Sequence, residues 1–491
     1  MPPGLPLSDF WYLLPELVLT AGLLVVLAFE ATTPRERHGW LAWLSVAVLA
    51  ASGACLTPFT DVSVTISRGL VAVDGFATFF KMVFLGSAAV TILISKKYLE
   101  VEGARPGEYY FLILCATLGM MFMASGIDLI TAFIGLETMA VSFYILTGFL
   151  KPSRRSNEAA VKYFVLGAFS LGILLYGMSV LYALTGTTRL REIAEVLATQ
   201  EAGLGAKLAV VLVIAGMAFK VAAVPFHMWA PDVYEGAPTP ITAFLSVGSK
   251  AASFAMLLRI VLEGLPGLGA EWRELLYMLA VLSMVVGNVA ALTQGNVKRM
   301  LAYSSIGHAG YVLIGVIAGT PRGVTATLIY LLIYAFMQMG AFAVLALLRR
   351  QDIVGDELKD LSGLFFRNRP AAIAMLVFML SLGGIPPTAG FMGKFWIFSA
   401  AIEAGYVWLA VIGVLMSAVS LYFYFRVVVF MWIKEEVAAA SPLRLSPAMG
   451  VAIALTLAGT LALGIYPARV FEFAESSART LGVSPPALTQ R

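Results

Sequence analysis

The sequence predicts an all-α polytopic membrane protein with fourteen transmembrane helices, two inverted five-helix repeats, and discontinuous helices 7 and 12. Three observations lead to this prediction. The chain of 491 residues is 60% hydrophobic and only 13% charged, whereas soluble domains are about 25% charged. Apolar segments of the roughly 20 residues that one membrane crossing requires recur along the whole chain. Two of these segments are much longer and contain prolines near the middle.

The predicted spans, numbered 1 to 14 in chain order, begin and end with their apolar runs. They cover Phe10–Ala28, Trp40–Leu56, Gly75–Ser95, Tyr109–Ser125, Leu129–Leu150, Ala159–Leu184, Ala206–Glu235, Ile241–Leu262, Leu275–Thr293, Met300–Ala318, Gly323–Leu348, Ala371–Ala401, Tyr406–Ile433 and Ala448–Ile465. The chain from Arg469 onward is predicted to be a short polar surface tail. Because no Lys or Arg precedes span 1, we expect this span to be retained rather than cleaved as a signal peptide.

Basic residues are concentrated in the loops that follow odd-numbered spans. These are Arg35, Arg37, Lys96, Lys97, Arg105, Lys151, Arg154, Arg155, Lys298, Arg299, Arg349, Arg350, Lys359, Arg367, Arg369, Lys434 and Arg444. The other loops and the termini carry clearly fewer. The positive-inside rule therefore places these loops in the cytoplasm and both termini outside, on the periplasmic side.

Spans 7 and 12 are each too long for one straight helix. Span 7 contains Val224-Pro225, and span 12 contains the run GGIPP, which ends in Pro386 and Pro387. Proline removes a backbone donor and clashes with the preceding turn, so we expect both helices to break there, at Pro225 and at the proline pair. Carbonyls freed at membrane depth must face protein or a water-lined cavity.

The two interrupted spans are five apart, and a repeat of five helices inserts its second copy upside down because five is odd. Interrupted helices at matching positions of inverted halves indicate a transport site. The predicted organisation has four parts. Residues 1–108 hold spans 1–3, residues 109–262 the first repeat (spans 4–8), residues 275–433 the second repeat (spans 9–13), and residues 434–491 span 14 and the tail.

Four charged residues lie well inside the spans, namely Glu137, Lys220, Lys250 and Lys394. A charge at bilayer depth costs at least about 2.5–3.5 kcal/mol, so it usually marks a function such as a proton or cation route. The lysines are too far from the span ends to snorkel, and burial favours release of their protons. Glu137 with a facing lysine forms a pair whose proton position depends on their separation. The alternative for Glu137 is a protonated, hydrogen-bonded acid.

Two histidines extend the set of candidate relay groups. His308 lies inside span 10, and His227 follows the break of span 7. Histidine titrates near neutral pH and can bridge distant lysines in a proton chain, although a neutral, hydrogen-bonded core histidine is the alternative. Secondary candidates, which either hold water around His308 or pack helices, are Tyr303, Ser304, Ser305 and Tyr311.

Three further charged residues receive structural predictions. Arg259 and Arg426 stay protonated and cannot relay a proton, so we expect ion-pair or snorkelling roles for them. Glu16 lies near the outer end of span 1 and is predicted to be interfacial.

No sequence pattern indicates a cofactor or metal site in this chain. A Gly-rich phosphate loop is absent, and the two cysteines, Cys55 and Cys115, form no cluster for a disulfide framework, a metal or an iron–sulfur centre. The net charge of +4 gives no indication of nucleic-acid binding.

The stretch KVAAVPFHMWAPDVYEGAPTP, residues 220–240, resembles the signature of the antiporter-like membrane subunits of respiratory complex I and of multisubunit Na+/H+ antiporters. The resemblance covers nearly the whole chain. Two further stretches, Tyr303–Tyr311 and Leu382–Phe395, favour a complex I subunit. Subunit M of that complex is expected to carry glutamate at the position of Lys394, and subunit L a long C-terminal lateral helix. The third antiporter-like subunit is therefore the best match.

The resemblance implies a role for each intramembrane charge. Glu137 is then the acid of helix 5, Lys220 the helix-7 lysine, Lys250 the central helix-8 lysine and Lys394 the helix-12 lysine. Protons are expected to pass along these lysines, through water and His308, from the cytoplasm to the outside of the bacterial inner membrane.

The resemblance also implies that the redox chemistry takes place in other subunits. NAD, FMN, iron–sulfur clusters and quinone are expected in other subunits of the assembled complex, and the expected partners are its other membrane subunits, including sister antiporter-like subunits, and the lipid bilayer. Two alternatives are a subunit of an Mrp-type Na+/H+ antiporter and a structural spacer that no longer pumps. Intact buried charges argue against the spacer, because apolar residues insert at lower cost.

Overall fold

The computed structural model describes residues 6–33, 39–104, 106–199, 203–349, 355–432, 443 and 445–482. Within these ranges, thirteen helices are long and apolar enough to cross a membrane. Span 12 is the remaining segment, divided into two shorter helices. The predicted fold class is therefore confirmed. Several basic loop residues used for the orientation lie outside the described ranges, namely Arg35, Arg37, Arg105, Arg350, Lys434 and Arg444.

Each observed span overlaps its predicted counterpart. Their bounds are Leu14–Thr32 (span 1), Leu41–Ala54 (2), Gly75–Glu102 (3), Pro106–Ser125 (4), Leu129–Thr147 (5), Arg154–Thr185 (6), Leu204–Val221 and Trp229–Gly236 (7a and 7b), Thr239–Gly264 (8), Gly269–Ala291 (9), Val297–Ala318 (10), Pro321–Leu348 (11), Arg369–Gly383 and Ala389–Glu403 (12a and 12b), Val407–Trp432 (13) and Pro447–Ile465 (14). Elements outside the spans include a hairpin of β1 (Val64–Ile66) and β2 (Val71–Val73) and the helices Leu7–Tyr12, Leu190–Ala198 and Ala468–Arg479.

Polar residues directly before the apolar runs determine where many spans begin. Asp74 accepts from the Ala77 amide at the start of span 3, and Asp128 and Asn296 cap spans 5 and 10 in the same way. Such side chains satisfy amides that have no partner within the helix. The span boundaries therefore follow from local sequence.

A pair of backbone hydrogen bonds recurs in the two repeats. In each repeat, both bonds join the start of the second helix to the segment between the third and fourth helices. The bonds are Leu129 N–H to Thr188 O (2.9 Å) and Leu190 N–H to Ile127 O (3.0 Å), and then Val297 N–H to Asp356 O (2.7 Å) and Leu358 N–H to Gly295 O (3.0 Å). The residue numbers differ by one constant offset at all four positions, so these connections are equivalent.

The central helices carry most of the candidate residues. Spans 8, 10 and 11 are almost entirely buried, whereas spans 1, 6 and 13 expose most of their apolar windows. Span 8 is not regular: π-helical turns cover Leu245–Ser249 and Ile260–Gly264. Such turns often occur at functional sites, and the first of them directly precedes Lys250.

The first part of the predicted polar tail is helical and buries one face. Ala468–Arg479 forms a helix that packs against spans 3 and 11. Ala474 and Ala478 are buried, and the Phe473 ring lies 5.7 Å from that of Phe79. Because its apolar residues recur at helical spacing, this segment buries one face despite its low overall hydrophobicity.

Candidate functional site

The predicted intramembrane residues lie inside the bundle. The exposed fractions of Lys220, Lys250 and Lys394 are 2%, 3% and 4%, so none of them snorkels to water. His308 is buried as well, and Glu137 is half-buried. The structure divides them into three local arrangements.

The first arrangement joins spans 5 and 7a. Lys220 lies in the last turn of 7a, which ends where Ala222 adopts φ +58°. The Lys220 ammonium and the Glu137 carboxyl interact electrostatically, yet Lys220 Nζ and Glu137 Oε1 have no hydrogen-bond partner among the described residues. The buried Tyr144 hydroxyl also has none, and Lys220 Nζ lies 5.9 Å from the centre of the Tyr144 ring. These three groups face one another without a direct bond.

Protein groups satisfy the break of span 7. Trp229 Nε1 donates to the Phe219 carbonyl at 2.9 Å, and the Val224 amide donates to Ser283 Oγ at 2.9 Å. His227 lies in the connecting segment, half-buried, and no contact joins it to the relay lysines in the described part of the chain. The break is therefore closed by protein, and His227 stays apart from the other candidates.

The second arrangement centres on span 10. Lys250 Nζ donates to both the carbonyl and the hydroxyl of Ser305, each at 2.5 Å. The neighbouring Ser304 hydroxyl is 2.5 Å from the Tyr424 hydroxyl, which is 3.1 Å from His308 Nε2. Lys250 and His308 are thus connected through two adjacent serines and one tyrosine.

The other side of His308 faces span 11. Its Nδ1 is 2.7 Å from the Tyr330 hydroxyl. Tyr303 makes no side-chain hydrogen bond among the described residues. Of the secondary candidates on this turn, Ser304 and Ser305 join the network and Tyr303 does not. Tyr330 and Tyr424 were not predicted, because nothing in their spacing distinguishes them among the 18 tyrosines of the chain.

The third arrangement is the break of span 12. Lys394, on 12b, donates to the carbonyls of Leu382 and Gly383 at 2.9 Å each and to Ser417 Oγ at 2.7 Å. These carbonyls end helix 12a, where Gly384 adopts φ +84°. A cation at a helix C-terminus is favoured by the helix dipole and by the unpaired carbonyls. Lys394 therefore satisfies the carbonyls that the break frees.

A buried ion pair outside these arrangements was missed. Lys81 Nζ on span 3 lies 2.6 Å from Glu16 Oε1 on span 1, and both side chains are buried. Glu16 lies in the first turn of span 1, close to the end of the span as predicted, but its side chain is buried against span 3. Its partner on a distant span cannot be recognised from its position along span 1.

Arg259 and Arg426 have structural partners, as expected. Arg426 donates to the carbonyls of Leu292 and Gln294 at the end of span 9, at 2.6 and 2.9 Å. Arg259 is 1% exposed and donates to both Asp74 oxygens at 2.9 and 2.8 Å.

Replacing Arg259 with leucine is expected to destabilise the protein by about 3–5 kcal/mol, because Asp74 is left buried without its cationic partner. Thermal unfolding of the purified protein measures this loss. The matched control is Arg322→Leu, since Arg322 is 51% exposed in its ion pair with Glu403, and a shift within about 0.5 kcal/mol is expected there. Equal shifts for the two variants contradict the prediction.

Charged residues also surround a cavity of about 220 Å³ between the start of span 6, span 7b and the start of span 10. Asp232 accepts from Lys162 and from Arg299, at 2.7 Å in both cases, and Glu235 accepts from Arg299 at 3.1 Å. Among the described residues, no group of three or more His, Cys, Asp or Glu side chains could hold a metal ion.

Comparison with known proteins places these observations in a family. The family described as "NADH:quinone oxidoreductase/Mrp antiporter, TM" matches residues 125–420. A relative named NADH-quinone oxidoreductase subunit N, from Trichlorobacter lovleyi, is 46% identical over 472 residues, which are 96% of this chain and 97% of the relative.

Solved structures share the fold. A chain of respiratory complex I from Thermus thermophilus with bound aureothin superposes with a TM-score of 0.80 at 34% identity, over 94% of this chain and 100% of that chain. A chain of the Mrp complex from Dietzia sp. DQ12-45-1b superposes with a TM-score of 0.83 over 96% of this chain and 97% of that chain. Its identity is 22%, so this second likeness concerns the fold alone.

Proposed function

Because the chain belongs to the family of subunit N of NADH-quinone oxidoreductase, we propose that it is a proton-translocating membrane subunit of that complex, respiratory complex I. It moves protons from the cytoplasm to the outside of the bacterial inner membrane. NADH oxidation and quinone reduction, with the NAD, FMN, iron–sulfur clusters and quinone that they require, take place in other subunits. Its partners are the other membrane subunits, including the sister antiporter-like subunits.

The near-continuous line of polar contacts between Lys250 and Lys394 carries the proposal. From Lys250 it runs through Ser305 and Ser304 to Tyr424 and His308. On the next turn of span 10, the Tyr311 ring lies 5.6 Å from that of His308, and Lys394 Nζ lies 5.3 Å from the centre of the Tyr311 ring. Among the described residues, no hydrogen bond joins the hydroxyls of the neighbouring Ser305 and Ser304, and none crosses the last interval, where the Tyr311 ring lies.

His308 has the chemistry that this position requires. A neutral imidazole has one nitrogen that donates and one that accepts, so it can take a proton on one side and release it on the other. Its two nitrogens face the hydroxyls of Tyr330 and Tyr424. Serine and tyrosine hydroxyls both donate and accept, so they can pass protons without holding a charge. The line therefore supports proton transfer in either direction along span 10.

The pair of Glu137 and Lys220 supplies the coupling. Approach of the two side chains favours the state in which both are charged, and separation favours the neutral forms. The absence of a direct bond between them supports a pair that can close and open. A closing movement then holds a proton on Lys220, and an opening movement releases it towards Lys250.

The basic loops give the direction of transport. We infer that both termini lie outside and that the cavity around Asp232, Lys162 and Arg299 faces the cytoplasm, because loops after odd-numbered spans carry most Lys and Arg. Lys394 then lies on the outer half of span 12, near the point of proton release.

Isolation of the tagged chain from its native membrane tests the proposal. We expect iron–sulfur subunits to co-purify, and NADH to drive proton uptake into vesicles that contain the isolated complex. The alternative, an Mrp-type antiporter subunit, instead predicts NADH-independent Na+/H+ exchange without iron–sulfur partners. That second result overturns the proposal.

A further inference from the structure

Span 11 carries a buried amide that the relay described above does not use. Gln338 is 0% exposed, and neither its Nε2 nor its Oε1 has a hydrogen-bond partner among the described residues. Burying an amide without a hydrogen-bond partner is unfavourable, because the lost bonds to water are not replaced. Buried polar groups in folded proteins are nearly always bonded to protein or to internal water, so the amide of Gln338 indicates a bound water.

The position of Gln338 connects it to the relay. Tyr330, Tyr334 and Gln338 are spaced by four residues along span 11, so they follow one face of the helix with a rise of about 6 Å per step. Tyr330 bonds His308, and the Tyr334 ring lies 5.1 Å from that of His308. The helix face that carries Gln338 therefore packs against the residues of the proposed relay.

A second polar atom on this face is also buried. The Tyr334 hydroxyl lies beside the Ser305 side chain but makes no hydrogen bond of ordinary distance and angle among the described residues. Side chains four residues apart are neighbours on a helix surface, so Tyr334 and Gln338 line the same side of span 11. A buried water typically has two to four polar partners, and the amide nitrogen and oxygen of Gln338 together with the Tyr334 hydroxyl supply that number.

Span 8 packs against this face of span 11. Span 11 packs against the first helical turns of span 8 and against its π-helical turn Leu245–Ser249. That turn ends directly before Lys250, whose ammonium bonds Ser305. Gln338 lies beyond Tyr334 in the direction of Leu348, the end of span 11 that the basic loops assign to the cytoplasm.

We propose that Gln338 and Tyr334 form an internal water-binding site between spans 8 and 11, through which protons reach Lys250 and Ser305 from the cytoplasmic side. The inference rests on the proposed function. Gln338 is a positioning residue in it, because it orients water and does not itself take up or release the proton.

The test uses Gln338→Met in the assembled complex, reconstituted into vesicles. Methionine keeps the volume and removes both polar atoms. The expected result is a fall in pumped protons per NADH of about tenfold, because the water that Gln338 positions for proton transfer is no longer held in place. The matched control on the same span is Thr327→Val, since the Thr327 hydroxyl already donates to Gly323 O at 2.9 Å. Normal pumping is expected in that variant.

Infrared difference spectra in H₂¹⁸O detect bound water directly. If Gln338 only supported the fold, its replacement would leave the water bands unchanged. A water band sensitive to ¹⁸O is expected during turnover in the parent complex and in Thr327→Val, and it should be missing in Gln338→Met. Tyr334→Phe, which keeps the ring against His308, is expected to weaken the same band and serves if Gln338→Met fails to assemble.

Two results separate this inference from the proposed function. If no water is bound at Gln338 and Tyr334, Gln338→Met pumps normally and retains every water band. This outcome overturns the inference. If Lys250→Met stops pumping while Gln338→Met does not, only the water site is refuted. If neither change affects pumping, both proposals fall.

Discussion

Lys250→Met in the assembled complex is expected to lower proton pumping by about 10²-fold or more, the contribution typical of a positioned proton-transfer group. Lys250 is buried in the central helix, and within the described part of the chain its ammonium bonds the proposed relay at Ser305. Methionine fills the same volume without a titratable group. Vesicles that contain the purified complex, with a pH-sensitive dye and NADH as the driver, measure the effect.

Two companion variants show whether the proton or only the charge matters. Lys250→Arg keeps a cation that does not release its proton, so pumping is expected to fail there too. The double variant Lys81→Met with Glu16→Leu removes a buried lysine and its partner away from the relay, a change that is often neutral for stability. Pumping at the parent level is expected in it. Full activity of Lys250→Arg contradicts a relay role for Lys250.

Glu137→Gln is expected to reduce pumping by about tenfold or more, while the complex still assembles. The amide keeps the shape of the side chain but removes the charge with which Lys220 interacts. Lys220 then no longer alternates between its charged and neutral forms when spans 5 and 7a move. Pumping and NADH oxidation in the same vesicles report the loss.

A double-mutant cycle makes this second prediction specific. If Glu137 acts only through Lys220, adding Lys220→Met to Glu137→Gln lowers pumping no further, because coupled residues are not additive. Thr138→Val is the local control, since the Thr138 hydroxyl donates to Ile134 O within its own helix. Additive losses of pumping from Glu137→Gln and Lys220→Met contradict the proposal that Glu137 acts through Lys220.

The spans could be predicted because their signals are local. Apolar length determines a crossing, and a polar cap such as Asp128 fixes where the helix starts. Pro225 in span 7 and the pair Pro386 and Pro387 in span 12 marked the breaks that the structure contains. The C-terminal helix was missed because its apolar face is short, and contacts with distant parts of the chain, such as that with Phe79, show that this face is covered.

The partners in the site could not be predicted in the same way. Position along a span says how deep a residue lies, but not which neighbouring helix it faces. For this reason Lys250 was identified from sequence, whereas Tyr424, which comes from span 13 to join Ser304 and His308, was not. The ion pair of Lys81 with Glu16 was not predicted for the same reason.

The break of span 12 has enough hydrogen-bond partners for Lys394 with or without its proton. A protonated lysine has three N–H donors, and Lys394 donates to three acceptors, the carbonyls of Leu382 and Gly383 and the hydroxyl of Ser417. If the proton departs as the proposed function requires, two donors remain for the two carbonyls, and the Ser417 hydroxyl, which lies 3.3 Å from Gly383 O, can donate to the nitrogen lone pair. The proposed release of a proton from Lys394 therefore leaves no carbonyl of the break without a donor, and no helix has to move.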